Sequence, residues 1–240
     1  MEIDYDGLVI SGSATKGFCA LGYLDKNKDL LKGIKYYSGT SSGSIIICLL
    51  AAGYEPLEIY QAWEDDTSHF KTLDITLYSF FSMNSLLQSI EDKLRIKGIE
   101  YFEDFDKDVY VCATEFEGTA KAHYFSNKET PRVRVIDAIR ASCAIPGIFP
   151  PAIIDGKMYV DGALKDNFPI DTIHYDANNI LGINIVPTPK RPTTAIGMIV
   201  KSIGTLVSNT VQKEKCRKYV EIEVEEGLKI HNLFMRGRSY

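Results

Sequence analysis

Twice within its opening stretch the chain passes from an apolar, strand-like run through small residues into a segment that reads as a helix. Gly7-Leu8-Val9-Ile10-Ser11 gives way to Gly12-Ser13-Ala14-Thr15-Lys16, and the pattern predicts a helix from Gly17 to about Lys26. Tyr36 and Tyr37 then lead into Ser38-Gly39-Thr40-Ser41-Ser42-Gly43, after which Ser44 to Ala52 has no polar face and ends at Gly53. A helix that is apolar all round needs cover on every side. Strand, turn and buried helix in repetition point to an α/β layered fold.

The rest of the chain continues the alternation. Pro56 to Asp65 and Asn84 to Ile96 read as amphipathic helices, the second with Leu86, Leu87, Ile90 and Leu94 at helical spacing. Asp108 to Phe116 and Ala122 to Phe125 read as a hairpin, and Arg134 to Ser142 as a helix. Ala152 to Val160 supplies two short strands joined at Asp155-Gly156, and Ile180 to Val186 is a buried strand closed by Pro187. From Ala195 to Tyr219 the residues Ile196, Ile199, Val200, Ile203, Leu206, Val207 and Val211 predict one long amphipathic helix, packed on the sheet or turned toward acyl chains. Leu77, Tyr78, Phe80 and Phe81 form an aromatic segment between helices, either core or an interfacial patch. No repeat or linker divides the chain, so a single domain over residues 1–240 is expected.

Composition removes several classes of function. A net charge of −5 with scattered Lys and Arg offers no basic face for nucleic acid. The five cysteines are widely spaced with no C-x-x-C pair, which suggests reduced thiols in a cytosol-like compartment. The acidic start Met1 to Asp6 does not resemble a signal peptide, and no apolar run approaches the roughly 20 residues of a membrane span. A cytoplasmic location is expected, with any membrane contact peripheral.

The chemistry concentrates in three places. Gly39-Thr40-Ser41-Ser42-Gly43 fits G-x-S-x-G, in which a tight strand-to-helix turn pushes a serine into the open at the start of a helix. Ser11 to Gly17 lies between strand and helix, and its backbone N–H groups suit an oxyanion hole. It has neither the Lys-Ser/Thr ending of a P-loop nor a dinucleotide glycine pattern. Asp161-Gly162-Ala163 presents a carboxylate at a strand end, preceded by the proline-rich Ala141 to Pro151 and followed by Asn167 and Pro169.

In order and spacing, these segments together resemble the patatin-like phospholipase family over about residues 6 to 190. The resemblance rests on Ser11 to Gly17, Gly39 to Gly43, Ala141-Ser142-Cys143-Ala144-Ile145-Pro146-Gly147-Ile148-Phe149-Pro150-Pro151 and Asp161-Gly162-Ala163. Cys112-Ala113-Thr114-Glu115 also looks like the family's Ala-Thr-Asp strand, with Glu115 in place of Asp. The resemblance implies a three-layer α/β/α fold with a mostly parallel central sheet, and hydrolysis of lipid acyl esters without metal or cofactor. It implies Ser41 as nucleophile, Asp161 as its base, and Gly12, Ser13 and Ala14 as the oxyanion hole, with Lys16, Gly17, Gly39, Gly43 and Gly162 supporting the motifs. Lys16 stands where the family usually has arginine, and only Gly12 remains of three consecutive glycines. A Cβ at positions 13 and 14 would distort the hole if positive φ were required there.

Two rivals stand beside this reading. A Ser-His-Asp α/β-hydrolase would use Ser41, Asp161 and His174 or His231, but Ser41 comes too early for the strands that usually precede that elbow. A non-catalytic lipid-binding protein of the same fold would account for the altered glycine run.

Overall fold

The computed structural model describes residues 4–66, 83–187 and 211–224, together with positions 198 and 202. The elements in chain order are β1 Gly7–Ile10, α1 Cys19–Lys26, β2 Tyr36–Thr40, α2 Ser42–Ala51, α3 Pro56–Asp66 and α4 Asn84–Ile96. There follow β3 Asp108–Glu115, β4 Lys121–Ser126, α5 Val135–Ser142, β5 Ala152–Ile154, β6 Lys157–Asp161, β7 Ile180–Pro187 and β8 Lys218–Val224. The eight strands form one sheet with the order β5-β6-β3-β2-β1-β7-β8, and β4 also pairs with β3. Strands β3, β2, β1, β7 and β8 are mutually parallel, while β4 and β6 run antiparallel to β3.

The strand periodicity explains the layers. In β1, Leu8 and Ile10 join the large core cluster with α1 and α2, whereas Val9 between them joins a second cluster with Tyr110, Phe168, Ile170, Ile173 and Ile180. Successive side chains point to opposite faces, so a strand apolar at every position must be covered on both. Cover on one face comes from helices, and on the other from the chain between Asp161 and Asn179, giving the three-layer α/β/α arrangement with a mostly parallel sheet that was expected. All ten residues of α2 are buried, as its lack of a polar face requires. Leu86, Leu87, Ile90 and Leu94 are the buried residues of α4. The β5–β6 turn takes positive φ at both Asp155 (50°) and Gly156 (77°), which a two-residue hairpin with matching twist demands.

Two expectations need correction. The helix expected from Gly17 begins instead as a 3-10 turn over Ala14–Phe18 and becomes α-helical only at Cys19. The long helix expected from Ala195 to Tyr219 does not reach its end: Lys213–Lys215 is a 3-10 turn and Lys218 opens β8. Pairing with β7, from Leu181 with Lys218 to Pro187 with Val224, satisfies this backbone as a strand and overrides the helical period. Met198 and Ser202 are helical. The rest of 195–210 lies outside the described residues, as does the aromatic segment Leu77 to Phe81. Among the described residues no helix is long and apolar enough to cross a membrane.

Candidate active site

The site arises where two strands meet end to end. Strand β4 pairs with β3 from Tyr110 to Glu115, a span overlapping both the β2 register (Asp108 to Cys112) and the β6 register (Ala113 to Glu115). A strand has two edges, so β2 and β6 share the edge of β3 opposite β4. Thr40 pairs with Cys112 and Asp161 with the next residue, Ala113, so the C-terminal ends of β2 and β6 face each other. Ser41 follows Thr40 directly. A serine and a carboxylate 120 positions apart in the chain are thereby brought together, and the Ser41 hydroxyl donates to Asp161 Oδ2 at 2.8 Å.

Ser41 occupies a strained turn. Its φ of 53° and ψ of −126° lie where L-residues are rarely found, and it heads α2 directly. A chain of hydrogen bonds holds the backbone there. The Ser41 N–H donates to Ser142 Oγ at 2.7 Å, the Ser142 hydroxyl donates onward to Cys112 O at 2.6 Å, and the Ser44 hydroxyl donates to Ser41 O at 2.6 Å. Close packing fixes the flanks. Gly39 lies against Gly43, and a Cβ on Gly43 would fall on the Ile10 carbonyl oxygen and lie 2.8 Å from Ser11 O, so β1 runs directly under the turn.

Asp161 is buried and aimed from both ends. Its N–H donates to Ala144 O at 2.9 Å, and the Thr114 hydroxyl donates to its carbonyl at 2.9 Å. Gly162 behind it packs on the Cys112 carbonyl and Thr40. Oδ1 accepts the Ala163 N–H at 2.9 Å, leaving Oδ2 to Ser41. Burial pushes the Asp161 carboxyl up to about 6, and the bonds from Ala163 and Ser41 only partly oppose it. A carboxylate of that strength is a better proton acceptor near neutral pH than an ordinary aspartate.

The segment expected to bind an oxyanion lies beside this pair. A Cβ on Gly12 would stand 2.8 Å from Ser41 Cβ, so the Gly12 backbone forms a wall against the serine. The Gly12 N–H donates to Asn167 Oδ1 at 3.1 Å, and the Ser13 N–H donates to Ser42 Oγ at 3.1 Å. Ser13 has φ −159° and ψ 42°, so the positive φ that would favour glycine is not used here. Ala14 begins the 3-10 turn, whose first bond runs from the Lys16 N–H to Ser13 O, and Gly17 packs on Ser42. Ser42, Ser142 and Asn167 have direct roles in this geometry that local sequence reasoning did not assign. Asn167 follows Asp161 by six positions within the same turn, and Ser142 lies in the proline-rich segment already singled out.

Other polar groups stand apart from the pair. Glu115 is held by Lys157 at 3.3 Å and Lys121 at 3.5 Å. His123 meets Phe125 edge-on and Tyr159 at a tilt, and His174 lies against Tyr175. Neither ring bonds to Ser41 or Asp161, and His69 and His231 lie outside the described residues. Among the described residues, no group of three or more His, Cys, Asp and Glu side chains is arranged to hold a metal ion. All five cysteines are free thiols, and four are buried as small apolar residues.

Comparison with known proteins adds an independent line. The family model described as patatin-like phospholipase matches residues 8–174. The chain is 34% identical over 183 residues to the "Probable lipid hydrolase 463L" of Invertebrate iridescent virus 6, covering 70% of this chain and 62% of that protein. It is 27% identical over 170 residues to "Lysophospholipase nte1" of Aspergillus niger, covering 69% of this chain and 11% of that protein. Among solved structures, VipD from Legionella pneumophila superposes with a TM-score of 0.56 at 16% identity, covering 83% of this chain and 53% of that one, a likeness of fold. The chain thus spans less than two thirds of the length of these relatives.

Proposed function

This chain belongs to the patatin-like phospholipase family, and from that premise we propose that it is a serine acyl hydrolase cleaving carboxylic-ester bonds of lipids, of the phospholipase A or lysophospholipase type. The observation that carries the reading is the 2.8 Å hydrogen bond from the Ser41 hydroxyl to the buried Asp161 carboxylate, set in a strained turn at the head of a helix. The names of the relatives, a lipid hydrolase and a lysophospholipase, supply the substrate class.

In the first half-reaction Asp161 Oδ2 takes the Ser41 proton as the hydroxyl oxygen attacks the ester carbonyl carbon. The carbonyl oxygen becomes an oxyanion, stabilised by the Ser13 and Ala14 backbone N–H groups, the Gly12 N–H being taken by Asn167, and by the N-terminal end of α2. When the tetrahedral adduct collapses, the C–O bond to the alcohol breaks and the alcohol leaves with the proton held by Asp161. In the second half, Asp161 takes a proton from water, which attacks the acyl-serine. Collapse then frees the fatty acid and returns the proton to Ser41. Desolvation of Asp161 matches its proton affinity to this task, and its bond from Ala163 leaves Oδ2 facing the serine. In the resting structure the Ser13 N–H donates to Ser42 Oγ, so it reaches an oxyanion by exchanging that acceptor.

A second reading, a lipid-binding protein of the same fold without turnover, draws on one observation: the Gly12 and Ser13 N–H groups already have side-chain acceptors. Hydrolysis of phospholipid and lysophospholipid vesicles by the wild type and Ser41→Ala separates the two. The hydrolase reading expects fatty acid release by the wild type alone. No release above the Ser41→Ala level from any lipid or short ester would support the binding reading instead.

A further inference from the structure

The turn that presents Asp161 also carries a side chain reaching the other half of the site. Asn167 accepts the Gly12 N–H on Oδ1 at 3.1 Å and donates from Nδ2 to Gly12 O at 3.1 Å. These bonds grip two successive peptide units, since the Gly12 N–H belongs to the Ser11–Gly12 peptide and Gly12 O to the Gly12–Ser13 peptide. In a trans peptide the C=O and N–H point in opposite directions, so pinning Gly12 O fixes where the Ser13 N–H is aimed. A hydrogen bond accepted by the carbonyl also strengthens the N–H of the same peptide as a donor.

Asn167 is itself held by its neighbours. The preceding Asp166 accepts the Phe168 N–H on Oδ1 at 3.1 Å and the Tyr124 hydroxyl on Oδ2 at 2.9 Å. The Asp166 carbonyl accepts the Thr40 hydroxyl at 2.8 Å, and Thr40 adjoins Ser41. Gly12 lies in close contact with both Asn167 and Ser41, with no room for a side chain between them. The turn that aims the carboxylate is therefore tied to the backbone that faces the serine.

We propose that Asn167 is a positioning residue for ester hydrolysis: by gripping Gly12 through its N–H and its C=O, it fixes the plane of the Gly12–Ser13 peptide, whose N–H exchanges Ser42 Oγ for the developing oxyanion, and withdraws the Gly12 N–H from the donors. This rests on the acyl hydrolase reading above. Asn167 touches no substrate atom and acts through the Gly12–Ser13 peptide.

The test compares wild type, Asn167→Ala, Asn167→Asp and Ser41→Ala on a short soluble p-nitrophenyl ester and on a fluorophosphonate probe, with thermal unfolding recorded for each. Asn167→Ala should lower kcat about a hundredfold, the scale of one lost oxyanion donor, with KM changed less than about threefold and labelling slowed in parallel. Asn167→Asp keeps an acceptor for the Gly12 N–H and regains a donor when its carboxyl is protonated. Its deficit against wild type at the same pH should therefore narrow as pH falls. This second variant decides the matter should Asn167→Ala fail to fold. A folded Asn167→Ala with wild-type kcat, a loss confined to KM, or an Asn167→Asp deficit independent of pH would overturn the proposal. A wild type that the probe does not label overturns the hydrolase reading, and the proposal with it; a labelled wild type with unaffected Asn167 variants overturns the proposal alone.

Discussion

The turn around Ser41 and the segment from Ser11 to Gly17 flank the same serine, yet they tolerate sequence change very differently. At the turn both glycines of the pentapeptide remain, because β1 passes directly beneath: a Cβ on Gly43 would fall on the Ile10 carbonyl. In the other segment Ser13 and Ala14 stand where the family has glycine, and Ser13, with a φ of −159°, does not use the positive φ that would favour glycine. Glycine is retained where backbone meets backbone, and it is replaceable where only the direction of an N–H matters. That direction is supplied in the second segment by side chains, Asn167 on Gly12 and Ser42 on Ser13.

The sharpest way to break this contrast is Gly43→Ala. Its methyl group has only backbone to displace, so it is expected to destabilise the fold by about 3 kcal/mol or more, read by chemical denaturation. Wild-type stability for Gly43→Ala would show that the turn has slack the packing does not reveal.

A slightly smaller effect is expected at Asp161, and its sign depends on pH. The folded-state carboxyl, at about 6, lies above the ordinary 3.8, so the native chain holds this proton more tightly than the unfolded chain. The stability it contributes is complete below the unfolded value and is lost as pH rises through about 6. Asp161→Asn removes that loss. Near pH 8 the variant should be more stable than wild type by about 2 to 3 kcal/mol, and the difference should close below about pH 4. A variant less stable than wild type at both pH values would show that the carboxylate is well solvated or well paired.

The smallest effect belongs to Ser13→Gly. Its hydroxyl is buried with no partner among the described residues, so removing it forfeits no hydrogen bond, while the added backbone freedom costs at most about 1 kcal/mol. Hydrolysis should change by less than about threefold, since the backbone N–H is unchanged. A loss near a hundredfold would instead make the Ser13 side chain part of the chemistry.

What the sequence made legible follows the same division. Ser41 and Asp161 could be picked out because each sits in a short local pattern whose glycines mark close approach, and the apolar run of α2 announced its own burial. The junction that unites them was not legible. It depends on β2 and β6 stopping on adjacent rungs of β3, a matter of register between strands distant in sequence. Asn167 was visible only as a residue after the aspartate, because its partner Gly12 lies 155 positions away. At the other end of the sheet, the apolar stripe beginning at Ile196 led the helix expectation through to Tyr219. The alternation of Val220, Ile222 and Val224 and the pairing with β7 instead make Lys218–Val224 a strand.

The central claim is that Ser41 is activated by Asp161, and its most direct test is the rate of fluorophosphonate labelling across pH in wild type and Asp161→Asn, with the adduct mapped by mass. One adduct is expected, on Ser41, forming at a rate that rises through a pH of about 6 and then levels, as Asp161 ionises. In Asp161→Asn that rise should vanish and the rate should fall by about a thousandfold or more. An Asp161→Asn protein that labels as fast as wild type, or an adduct on any other residue, would contradict it.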